Sequence, residues 1–77
     1  MLICCVHKQE YLNKLGKHIV FLRKSKNLSQ RALAFACGKD AQSLERVENG
    51  KSNPTAFYLF ELSQALEISP KELLDFE

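Results

Sequence analysis

The chain predicts an all-α fold, a compact domain of five short helices. Three observations predict it. Apolar residues recur at spacings of three and four along most of the chain, the period of a helix face rather than the alternation of a strand. Short polar residues and glycines punctuate that pattern, with Ser29, Asp40 and Ser69 placed to start helices and Gly38 and Gly50 placed to stop them. Seventy-seven residues make one small domain, with a core too limited to house a second catalytic or effector unit. Residues 15–74 are expected to form that domain. Residues 1–14 are an N-terminal arm and the start of helix one, and residues 75–77 are a tail.

Leu12, Leu15, Ile19 and Leu22 share one face, so roughly Lys8 to Ser25 reads as helix one, despite Gly16. Lys26-Asn27 closes it. Ser29 can accept from a first-turn amide and start helix two, on which Leu33 and Cys37 point inward four residues apart. Gly38 ends that helix, because a glycine can take the left-handed conformation without Cβ strain. Asp40 starts helix three, with Leu44 and Val47 inward and Gly50 at its end. Lys51-Ser52-Asn53-Pro54 is a long turn whose proline suits the start of helix four, and Leu59, Leu62 and Leu66 line that helix. Ser69-Pro70-Lys71-Glu72 reads as a capping box with proline at the first helical position, opening helix five.

The chemistry sits on helix three, whose outward face is expected to be Ala41, Gln42, Ser43 and Arg46. Amide, hydroxyl and guanidinium groups on one short helix are the donors and acceptors that read base edges in a major groove. Gln42 can bond adenine at N6 and N7 together, and Arg46 can reach guanine O6 and N7 or a phosphate. Ser43 adds a hydroxyl, and Ala41 offers a methyl surface to a thymine methyl. Gln30, in the first turn of helix two, stands where an amide and a helix N-terminus can both bind a phosphate oxygen.

Net charge is only +2, but its distribution is uneven. Residues 1–60 carry ten Lys/Arg against four Asp/Glu, whereas residues 61–77 carry Lys71 against Glu61, Glu67, Glu72, Asp75 and Glu77. Such an asymmetry fits a basic face toward phosphate and an acidic end turned away. Three cysteines without a Cys-x-x-Cys pair fit neither a zinc site nor a secreted disulfide framework, which points to the reducing cytoplasm. Cys4-Cys5-x-His7 suits neither tetrahedral chelation nor an unstrained disulfide, so no metal and no cofactor are expected. Cys37 reads as a small core residue and His18 as a surface or phosphate-side residue. The apolar stretch Leu2 to Val6 is far too short to span a membrane, and nothing in the chain has the spacing of a catalytic set, so no enzyme is expected.

Ser29-Gln30, Leu33-Ala34, Gly38, Leu44, Val47, Glu48 and Gly50 together resemble the Cro/repressor (Xre-like) helix-turn-helix family. The resemblance extends through Leu15-Gly16, Ile19, Leu22-Arg23 and Leu28 on one side. On the other it runs through Asn53-Pro54, Leu59, Leu62, Leu66, Ile68 and Leu73-Leu74. It implies a lambda-repressor-like DNA-binding fold, with Gln30, Lys39, Asn49 and Lys51 as phosphate contacts. It also implies a buried ion pair between Arg23 and Glu48 that orients helix three. Val20, Phe21, Phe35, Phe57 and Tyr58 depart from the family pattern, and such aromatics fit an apolar contact surface. A homodimer through Phe57, Tyr58 and Phe76 is the expected use, unless residues 1–14 fold back over part of that surface.

The expectation is therefore a sequence-specific transcriptional regulator, a dimeric repressor whose partner is double-stranded DNA. A phage repressor, a restriction-modification controller and an antitoxin share this architecture. A protein-binding adaptor, or an antitoxin bound to a protein toxin, is the alternative.

Overall fold

The computed structural model describes residues 8–76. It contains α1 (Lys8–Ser25), α2 (Gln30–Ala36), α3 (Ala41–Glu48), α4 (Ala56–Leu66) and α5 (Pro70–Leu73). Among the described residues every regular element is helical, so the fold is all-α. The Cys4-Cys5-x-His7 segment and the residues of the expected arm before Lys8 lie outside the described residues, as does Glu77. No helix of the described residues is long and apolar enough to cross a membrane.

Helices of four to eighteen residues have little independent stability in water, so their order comes from a shared core. That core takes Leu15 and Ile19 from α1, Leu33 and Ala34 from α2, and Leu44 and Val47 from α3. Leu62 and Leu66 of α4 and Leu73 of α5 complete it. Cys37, Leu22, Leu28 and Leu59 pack partly buried against these side chains.

Gly16 explains itself where α1 crosses α3. A Cβ built there would lie 2.7 Å from the carbonyl carbon of Glu48 and 2.8 Å from the Val47 oxygen, and closer still to the Glu48 oxygen. The glycine is the condition for the close crossing rather than a weakness in α1.

The ends of α1 to α4 obey one rule. Asn27 and Glu67 at φ 60° and Gly38 and Gly50 at φ 73° stand just beyond α1, α4, α2 and α3, all in the left-handed region. After each, the next amide returns to a carbonyl of the last turn: Leu28 to Arg23 at 3.1 Å, Lys39 to Ala34 at 2.8 Å, Lys51 to Arg46 at 2.8 Å and Ile68 to Ser63 at 3.0 Å. This is the Schellman closure, repeated four times.

Helix starts follow the expectation in part. The Ala32 amide donates to Ser29 Oγ at 3.0 Å, and the Ser43 amide donates to Asp40 Oδ1 at 2.7 Å. Helix four starts on Thr55, not on Pro54, because the Tyr58 amide donates to Thr55 Oγ1 at 3.1 Å and Pro54 stays in the loop before the cap. Ser69 makes no side-chain cap, which corrects the capping box. The Glu72 amide that it would serve already donates to the Ser69 carbonyl at 3.0 Å, closing the tight turn of a four-residue helix. Pro70 does occupy the first turn of α5.

His18 joins α1 to the segment around α5. Its Nε2 donates to the Glu72 carbonyl at 2.8 Å, and its ring lies 6.2 Å from Phe21 and 5.6 Å from Phe76. The residue expected at the surface or on the phosphate side thus makes this tie.

Candidate nucleic-acid interface

α2, the turn through Gly38 and Lys39, and α3 form the helix-turn-helix. Leu44, Val47 and Glu48 bury one side of α3. Positions 41, 44 and 48 share a helix face, so Ala41 is half-buried against the core. The expected outward methyl is thus turned inward. Gln42, Glu45 and Arg46 are exposed and Ser43 is half-buried. Asp40, Gln42, Ser43, Arg46 and Ser52 line a shallow concavity of about 440 Å³ on this side. Asp40 spends a carboxylate oxygen on the Ser43 amide, so its negative charge compensates the positive end of α3.

Behind the exposed face lies a buried polar network. Arg23 Nε donates to Glu48 Oε2 at 2.9 Å, Nη2 donates to Oε1 at 3.3 Å, and Nη1 donates to the Leu28 carbonyl at 3.0 Å. Gln30 Nε2 donates to Glu48 Oε1 at 2.8 Å. The Arg23 and Glu48 side chains are 11% and 3% exposed. One carboxylate therefore joins α1, α2 and α3. Gln30 has one side-chain amide proton left over for a phosphate.

A second cluster ties the turn of the motif to α4. The Lys39 ammonium is 2.7 Å from Glu61 Oε1 and 5.1 Å from the Tyr58 ring centroid, and the Tyr58 hydroxyl lies 3.1 Å from Ser43 Oγ. The hydrogen bond that the Lys39 ammonium donates to Glu61 holds its pKa above the ordinary value. Burial pushes the Tyr58 phenol up. Burial, then the charge of Glu61, pushes the Cys37 thiol up. Lys39, expected on phosphate, and Tyr58, expected in a dimer contact, are both engaged within the chain.

Asn49 and Lys51 are exposed just beyond α3. Phe57 is 65% exposed and stacks on Phe60 at 6.0 Å, while Phe35 is 87% exposed. Phe76 is folded against Tyr11 at 5.2 Å and packs on the core. Gln9 was not singled out by the sequence, yet its Nε2 donates to Asn13 Oδ1 at 2.9 Å and to the Gly50 carbonyl at 2.7 Å, holding the end of α3 against α1. Its only trace in the sequence is the Gln/Asn spacing of four. Among the described residues no group of three or more His, Cys, Asp or Glu is placed to hold a metal ion.

A family model described as helix-turn-helix matches residues 19–73. The chain is 38% identical over 60 residues to an uncharacterized HTH-type transcriptional regulator of Sinorhizobium fredii, covering 78% of each. It is 37% identical over 62 residues to the control protein C.BamHI of Bacillus amyloliquefaciens, covering 79% of this chain and 76% of that one. Among solved structures, the restriction-modification controller protein C.AhdI from Aeromonas hydrophila superposes with a TM-score of 0.79 at 40% identity, over 80% of this chain and 94% of the other. An HTH_3 family regulator from Vibrio cholerae superposes at 0.81 with 29% identity, over 86% of this chain and 37% of the other.

Proposed function

From the premise that this chain belongs to the helix-turn-helix family, we propose that two copies bind one operator, each reading a half-site with α3. The protein is a DNA-binding transcriptional regulator. The observation that carries the finer reading is the exposed Gln42 and Arg46 on a helix whose opposite side is core. That arrangement lets side chains enter a groove without disturbing the fold that mounts them. Gln42 and Arg46 read bases, Ser43 adds a hydroxyl, and Asn49, Lys51 and the free amide proton of Gln30 hold the backbone.

One such helix spans only a few base pairs, too little for a selective site, and a twofold pair doubles the information. Phe57, exposed on α4 beside Phe60, is the contact we assign to the pair. Among regulators we favour a restriction-modification controller, acting in the cytoplasm by binding rather than catalysis. The controller proteins C.AhdI and C.BamHI are 40% and 37% identical to this chain, whereas the Vibrio regulator is 29% identical.

Selection from random duplex DNA tests the reading. It is expected to return an inverted repeat with half-sites about 34 Å apart, one helical turn. Sedimentation at micromolar concentration is expected to give a dimer that Phe57→Lys dissociates. An adaptor that binds protein instead would show no salt-dependent affinity for duplex DNA, since no counterions would be released.

A further inference from the structure

Tyr58 and Glu61, three residues apart on α4, hold the helix-turn-helix through Lys39 and Ser43. Glu61 keeps the Lys39 ammonium at 2.7 Å, and that ammonium lies 5.1 Å from the Tyr58 ring centroid, within cation–π range. The ring is thereby held with its hydroxyl 3.1 Å from Ser43 Oγ. Ser43 is the one hydroxyl residue of α3, and it lines the same concavity as Gln42 and Arg46.

We propose that Tyr58 is a positioning residue for base readout. Its phenol donates to Ser43 Oγ and so leaves the serine hydrogen to donate to an acceptor on a major-groove base edge: guanine N7 or O6, adenine N7 or thymine O4. The inference rests on the reading of α3 as the helix that enters the groove. A serine alone is donor or acceptor by rotation and discriminates weakly. A phenol is far more acidic than an aliphatic alcohol, so between these two groups the phenol is the better donor and the serine oxygen the better acceptor. Burial raises the Tyr58 pKa, so its proton is in place across the physiological range. The serine is then left with one polarity toward DNA.

The test measures binding of the wild type, Ser43→Ala, Tyr58→Phe and the double variant to the selected operator and to its single-base variants. Tyr58→Phe keeps the ring under Lys39. Each single variant is expected to lose about three- to tenfold of discrimination at the same base pair, the scale of one hydrogen bond. The double variant should lose no more than either single one. A 7-deaza purine at an N7-reading position, or loss of O6 or O4 elsewhere, should weaken the wild type and leave Tyr58→Phe unchanged. Affinity for random duplex DNA should stay constant throughout. Full discrimination in Tyr58→Phe, or a loss spread evenly over all positions, overturns the proposal. A wild type without any sequence preference overturns the operator reading and this inference with it, and the wild-type measurement alone tells that failure from a failure of Tyr58.

Discussion

Gln30 Nε2 donates to Glu48 Oε1 at 2.8 Å, so the first residue of α2 is tied to the carboxylate that holds Arg23. The two residues lie on consecutive helices of the motif, and the bond sets the angle between them from the inside. A substitution at Glu48 therefore leaves two side chains, Arg23 and Gln30, with three N–H donors unmatched.

Glu48→Ala is expected to destabilise the fold by about 3–5 kcal/mol, the usual cost of removing one partner of a buried ion pair. Urea unfolding measures it. A loss below about 0.5 kcal/mol, the scale of exposed pairs, would show that the network contributes nothing to the fold.

Gln42→Ala is expected to lose about 1–3 kcal/mol of discrimination at one base pair, with non-specific affinity nearly unchanged. Competition against single-base operator variants decides it. Equal losses on every sequence would move Gln42 to the phosphate contacts.

Gly16→Ala is expected to destabilise by about 1–3 kcal/mol, because the obstructing atoms are backbone and have no rotamer by which to yield. Gly38→Ala meets nothing within 4 Å and bears only left-handed strain, about 1–2 kcal/mol. The informative readout is the DNA affinity of the folded variants. Gly16→Ala should weaken operator binding by displacing α3, and Gly38→Ala should do so less.

Alkaline pH is expected to destabilise the fold through three neighbouring groups. Cys37, Tyr58 and Lys39 have ordinary values of 9.0, 10.0 and 10.5, and all three are raised in the folded chain. The folded state therefore binds more protons than the unfolded state as pH climbs through this window, and stability falls with pH. Urea midpoints at pH 8 and pH 10.5 should differ in that sense. Tyr58→Phe should flatten the slope above pH 10, and an unchanged slope would mean that the phenol ionises as freely in the fold as outside it.

The limits of α1 were legible because Leu12, Leu15, Ile19 and Leu22 mark one face without interruption and Lys26-Asn27 breaks it. The stops at Gly38 and Gly50 were legible because glycine advertises the left-handed conformation. Glu67 takes the same conformation with a side chain that gives no such signal, so the end of α4 could not be read in that way. Arg23 and Glu48 were reached through family resemblance, since nothing local joins residues on different helices. Lys39 shows the limit of charge counting. A lysine beside a helix-turn-helix looks available to phosphate, and only folding brings Glu61 of α4 to it. Ala41 reads as outward from the sequence, yet it shares a helix face with Leu44 and Glu48, which leaves it half-buried against the core.

The way α1 holds α3 has a mechanical consequence. Gln9 bonds the Gly50 carbonyl, Gly16 admits the backbone of Val47 and Glu48, and Arg23 binds the Glu48 side chain, so every one of these attachments falls on the trailing half of α3 or just past it. The leading half, with Gln42 and Ser43, is restrained by the Asp40 cap and the Tyr58 hydroxyl alone among these polar ties. The polar anchorage of α3 is thus concentrated beside Asn49 and Lys51, while the leading turn, where Gln42 projects, rests on the apolar packing of Ala41 and Leu44 and on those two bonds.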